Sequence, residues 1–173
     1  RQREASSEDM HMSQSPANSS SSTGISGTDQ DSIFSSLIAT YRELNLKVRP
    51  VPESQVSAES SGTSIKGLLR HLRDDELAFA QSLKSRLSGV PIDVIDGKDA
   101  PLTGHEAEDN TVSMLISQFG TARATTLSLL KGLSHEAWNQ PLDDGKSLLQ
   151  HVQAVVERDA KVLNQISSLM KHE

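Results

Sequence analysis

Between long polar stretches, apolar residues return every three or four positions, the spacing of one face of a helix. Four segments carry that period. Asp31 to Leu46 places Ile33, Leu37, Ile38, Tyr41 and Leu44 on one side. A loop rich in Pro, Ser and Glu follows from Val48 to Gly62, and Thr63 or Ser64 caps a second helix carrying Ile65, Leu68, Leu69, Leu72, Phe79, Leu83 and Leu87. Gly89-Val90-Pro91 stops it, and a long connection containing Gly97, Pro101 and Gly104 runs to about His105. The third segment, Glu106 to Leu133, aligns Val112, Leu115, Ile116, Phe119, Ala122, Leu130 and Leu133. An Asp143-Asp144-Gly145 turn then leads to the fourth, Lys146 to Lys171, with Leu148, Val152, Val155, Val162, Ile166 and Leu169 inward.

Only Ile92 to Ile95 reads as a strand, and it is short and isolated. Four amphipathic helices with few strand signals predict an all-α four-helix bundle over residues 31–173. The long second connection favours an up-down-down-up order with a crossover between helices two and three; simple up-down-up-down is the alternative. Residues 13–30 are Ser, Gly, Thr, Asn and Asp almost throughout, too poor in apolar surface to offset the entropy of ordering, so residues 1–30 are expected to form a disordered leader. Within it, residues 1–11 read as an appended segment, with a natural start at Met12 or nearby.

Charge and composition narrow the function. Seventeen Lys and Arg against 23 Asp and Glu give a net charge of −6. With no basic run and only 3% aromatic residues, nucleic acid is not an expected partner. No apolar stretch approaches the roughly 20 residues that span a bilayer, so no membrane is expected. The absence of cysteine excludes disulfides, thiolate metal sites and a Cys nucleophile, in keeping with a cytoplasmic location. A phosphate loop, a Ser-His-Asp signature and HExxH are all missing. Asp74-Asp75 and Asp143-Asp144 fit solvated surface and turn positions better than catalytic pairs, and Trp138 fits packing over the turn between helices three and four.

Three stretches carry a family resemblance. They are Thr63-Ser64-Ile65-Lys66-Gly67-Leu68-Leu69-Arg70-His71-Leu72 with Glu76, then Gln118-Phe119 through Arg123 to Leu133 with Trp138 and Pro141, and finally Leu148-Leu149-Gln150-His151 with Asn164-Gln165-Ile166. In this order and spacing, over residues 31–170, the chain resembles DinB-like proteins. The resemblance implies a four-helix bundle with a long crossover between helices two and three. For many members it also implies a divalent metal, zinc or nickel, held by one histidine of the second helix and two, four apart, of the fourth. Members with known activity include thiol-dependent transferases and isomerases that use mycothiol, bacillithiol or glutathione.

Carried over position by position, His71 matches the second-helix ligand, while Arg158 and Val162 stand where the other two are expected. A guanidinium offers no lone pair to a cation and valine has no polar atom. In the crossover order His71 and His151 lie at opposite ends of the bundle, and His105 would approach His71 instead. His71 also falls off the centre of its apolar stripe, where a solvated histidine is as well suited as a ligand.

The helical projections place charge inside the apolar faces. Glu76 lies between Leu72, Phe79 and Leu83; Arg123 between Phe119, Ala122 and Leu130; Asp159 among Val152, Val155, Val162 and Ile166; and Tyr41 is central on the first helix. All four stand near the midpoints of their helices. Burying one unpaired charge costs several kcal/mol or more, whereas Arg123 could bridge both carboxylates, with the Tyr41 hydroxyl completing the set. Such a layer is either a device that sets helix register or a polar pocket for a small anionic or thiol ligand. Two functions therefore stand open. One is a non-catalytic or degenerate DinB-like module that binds a small molecule or a partner, including a second copy as a homodimer. The other is a metal-dependent thiol transferase or hydrolase using His71.

Overall fold

In the computed structural model, which describes residues 26–89 and 110–171, the first helix opens on a capping box. The Ser26 hydroxyl accepts the Asp29 N–H at 3.2 Å, and the Asp29 carboxylate accepts the Ser26 N–H at 3.1 Å. These reciprocal bonds satisfy donors that would otherwise be orphaned. Helix α1, Gly27–Glu43, thus starts ahead of Asp31, and residues 27–30 are helical rather than part of a disordered leader. The leader up to residue 25, the Ile92 to Ile95 segment, His105 and residues 106–109 lie outside the described residues.

Past Glu43 the chain widens into a π turn, Leu44–Val48, closed by the Arg49 N–H on the Leu44 carbonyl at 3.0 Å. Leu44 and Val48, four residues apart and on one face, are both buried in the core. A short helix α2, Glu53–Val56, follows inside the expected loop. Helix α3, Ile65–Ser88, is capped by the Ser64 hydroxyl and ends where Gly89 takes a left-handed φ of 67°. Helix α4, Val112–Lys131, starts later than Glu106, because the Thr111 hydroxyl accepts the Met114 N–H and caps it there. A short α5, His135–Asn139, buries Trp138. Helix α6, Leu148–Lys171, opens on a second reciprocal pair, Ser147 with Gln150.

The long helices form an up-down-down-up bundle, and the two apolar clusters show why. One gathers Leu44, Val48, Leu69, Leu115 and Ile166, so the end of α1, the starts of α3 and α4 and the end of α6 share one pole. The other gathers Leu37, Leu83, Leu130, Leu148 and Val152, the opposite ends of the same helices. Helices α3 and α4 therefore run parallel. Around its axis the order is α1, α4, α3, α6, each packed on the next.

The other two connections cross the poles diagonally, and each carries a short helix that plugs its pole with one apolar side chain. Val56 of α2 closes the first. Trp138 of α5 closes the second, edge-on to Phe34 with ring centroids 6.0 Å apart. The Glu53 carboxylate fastens α2 in place, accepting Lys66 Nζ at 2.9 Å from α3 and the Val112 N–H at 3.2 Å from α4. Among the described residues no helix is long and apolar enough to cross a membrane.

Candidate functional site

Between the two apolar clusters the core is charged. Glu76, Arg123 and Asp159 each sit mid-helix on the inward stripe of α3, α4 and α6, with relative exposures of 0, 1 and 2%. Arg123 Nε donates to Glu76 Oε1 at 2.9 Å and Nη2 to Oε2 at 2.8 Å, a fork-to-fork pairing. Its Nη1 donates to Asp159 Oδ2 at 2.7 Å and to the Leu37 carbonyl at 2.8 Å. The guanidinium also lies 4.8 Å from the centroid of the Phe119 ring, within cation–π range. Burial alone would depress the Arg123 guanidinium, but hydrogen bonds and charge from Glu76 and Asp159 outweigh it and hold the group above its ordinary value.

Two hydroxyls and a second arginine complete the layer. Thr126 donates to Glu76 Oε1 and Thr40 to Asp159 Oδ2, both at 2.8 Å. Arg158 Nη2 reaches Glu76 Oε2 and Asp159 Oδ1, both at 3.0 Å. All four carboxylate oxygens therefore accept at least one bond, and two arginines balance two acids. Arg158 alone of the charged members touches solvent, with its side chain 22% exposed.

Tyr41 does not join the layer. It is 37% exposed, and its ring packs on Gly120 of α4, so closely that a Cβ there would come within 2.3 Å of Cε2. Thr40, one residue earlier and about 100° around the helix, takes the inward place. Thr40 and Thr126 stand in the apolar stripes and carried a signal in their spacing; Arg158 was masked by its reading as a failed ligand position. A second buried arginine, Arg73, was not singled out by its sequence either. It is fully enclosed and donates to Asp74 and to Gln118 of α4, both at 2.8 Å, which accounts for Asp74.

The described histidines, His71, His135 and His151, do not assemble. His71 and His135 are exposed. His151 lies at the other pole from His71, its Nε2 2.9 Å from Asp144. That hydrogen bond, with the Lys146 N–H, holds the Asp144 carboxyl below its usual range. Val162 packs against the apolar cluster. Residues 71, 158 and 162 do not fit a divalent metal: the first faces solvent, the second is a guanidinium committed to two carboxylates, and the third is apolar. Among the described residues no three His, Asp or Glu side chains come together as a metal-binding group.

As chemistry, the layer is closed. Its carboxylate oxygens all accept from donors and the central guanidinium makes four hydrogen bonds with its five N–H groups, while Arg158 Nε is buried without a partner, so what the layer supplies is chiefly rigidity and register. Compared with known protein families, with characterised proteins and with solved structures, the chain matches none of them.

Proposed function

We propose that this chain is a non-catalytic bundle of the DinB-like kind that works as a binding or interaction module. The observation that carries this reading is the commitment of Arg158. The residue standing where the resemblance expects a metal ligand instead donates to Glu76 and Asp159, and so helps neutralise the core. Glu76 and Arg123, which stand within the stretches that carry the resemblance, serve the same ion network. The polar groups a catalytic site would need are spent on holding four helices in register.

Elemental analysis of the purified protein is the test, alone and after dialysis against zinc and nickel. Substoichiometric metal, unchanged in His71→Ala, is expected. Stoichiometric zinc or nickel lost on His71→Ala would replace this reading with the metal-dependent transferase.

A further inference from the structure

Along the outward face of α6, facing the turn that precedes α3, runs an open groove of about 780 Å³. That size lies within the range of ligand sites. Its lip is rigid. Ser60 N–H donates to the Thr63 carbonyl at 2.9 Å and Thr63 N–H to the Ser60 carbonyl at 3.0 Å. The two residues between them, Ser61 and Gly62, take φ of 53° and 77°, the tight reversal that positive φ permits. Glycine adopts that conformation freely; for Ser61 it is strained, so the lip holds a hydroxyl-bearing residue at an energetic cost.

The opposite wall is α6 itself. Glu157 and Lys161, one turn apart, both line the groove, and neither forms an ion pair with any described residue. Next along the wall come the carboxamides of Asn164 and Gln165, and Ala160 and Leu169 supply a small apolar surface. No aromatic ring lines it. The groove thus presents one unpaired anion, one unpaired cation and two groups that each donate and accept.

We propose that this groove binds a short extended peptide segment of mixed charge, with a basic side chain over Glu157, an acidic one over Lys161 and its backbone met by Asn164 and Gln165. Side chains one helical turn apart are about 6 Å from each other. Same-face side chains of an extended chain, two residues apart, are spaced about 6.6 Å. The two charges of the wall therefore match positions i and i+2 of the ligand. A carboxamide pairs with a peptide N–H and C=O together. From Glu157 to Ser168 the wall runs about 16 Å, the length of about five extended residues. An anion such as phosphate would meet Glu157, and a neutral sugar would offer each charge a hydroxyl in place of an opposite charge. This ligand class rests on the reading of the chain as a binding module. Metal content tests that reading, and peptide binding tests the groove, so either can fail alone.

The test uses the full chain and fluorescent five-residue peptides of serine and leucine, with lysine and glutamate two positions apart in either order. Neutral pentapeptides and a panel of disaccharides serve as comparisons. Binding followed by polarisation should favour mixed-charge peptides of one order. Glu157→Lys and Lys161→Glu should each weaken it about tenfold, and the double variant E157K/K161E should prefer the reverse order. Both positions are exposed on α6, so the helical circular dichroism should not change. Equal binding of neutral peptides, binding indifferent to both reversals, no peptide binding, or a disaccharide bound in their place would each overturn the proposal.

Discussion

Arg123 and Glu76 meet fork to fork across the α3–α4 interface, two hydrogen bonds of 2.9 and 2.8 Å in a part of the core from which water is excluded. Neither group is tolerable there without the other. The free energy lies less in the pair itself than in what its breaking would leave behind. Replacing Arg123 by Met strands Glu76 and Asp159, with only Arg158 and the threonines to serve them. Denaturant unfolding should show a loss of about 3–5 kcal/mol. Arg123→Lys should fall between, since an ammonium cannot span two carboxylates with a planar fork. An unchanged midpoint for Arg123→Met would remove the structural role assigned to the layer.

Thr40 and Tyr41 separate two accounts of the same helix. Thr40→Val removes the hydroxyl that bonds Asp159 and should cost about 1–3 kcal/mol, the penalty of an under-satisfied buried carboxylate. Tyr41→Phe should stay within about 0.5 kcal/mol of the parent, because its hydroxyl lies outside the layer. Reversal of that ranking in thermal melts would place the wrong residue inside.

Gly120 and Tyr41 are coupled through space. In an exposed helix interior, Gly→Ala ordinarily stabilises by about 1 kcal/mol. Here the added methyl would strike the Tyr41 ring, which must swing off α4 and lose its packing. Gly120→Ala alone should therefore gain little or destabilise, while in a Tyr41→Ala background the ordinary gain should return. The two measurements form a double-mutant cycle, and a coupling near zero would contradict the contact.

Acid should loosen the pole that α2 closes. The Lys66 ammonium, bonded to the Glu53 carboxylate, together with the Val112 N–H holds it below its ordinary value of 4.5 despite slight burial. A folded value below the unfolded one means the contribution is complete above the unfolded value and disappears as pH falls through the folded one. Asp29 is lowered likewise by its bonds with Ser26. Melting temperature should decline on acidification below about pH 5. Glu53→Gln should start lower at neutral pH and decline less steeply over the same window; parallel curves would show that Glu53 is not a contributor.

How much was legible in the sequence follows from which interactions are local. The apolar period alone placed α1, α3, α4 and α6, and it set Glu76, Arg123 and Asp159 on their inward stripes, because a helix's angular pattern is written in consecutive residues. The caps at Ser64 and Gly89 are equally local. The same counting could not choose between Thr40 and Tyr41, which differ by one step of rotation. Packing of α1 on α4 settled it, since Gly120 leaves room for the tyrosine ring on the outer side. Nor could it show Arg158 turning inward, because its partner Glu76 lies on another helix, 82 positions away.

What the sequence determined by itself is thus the four long helices and three of the charges they bury, Glu76, Arg123 and Asp159. Only the tertiary structure decided how those charges are satisfied. Parallel placement of α3 and α4 brings their midpoints level, and diagonal connections through Val56 and Trp138 fix the poles. The hydroxyls, the second arginine and the Leu37 carbonyl are then drawn from whichever neighbours lie within hydrogen-bond reach. A lone buried charge cannot persist, so the fold supplies partners; their identity depends on distances that no single helix contains.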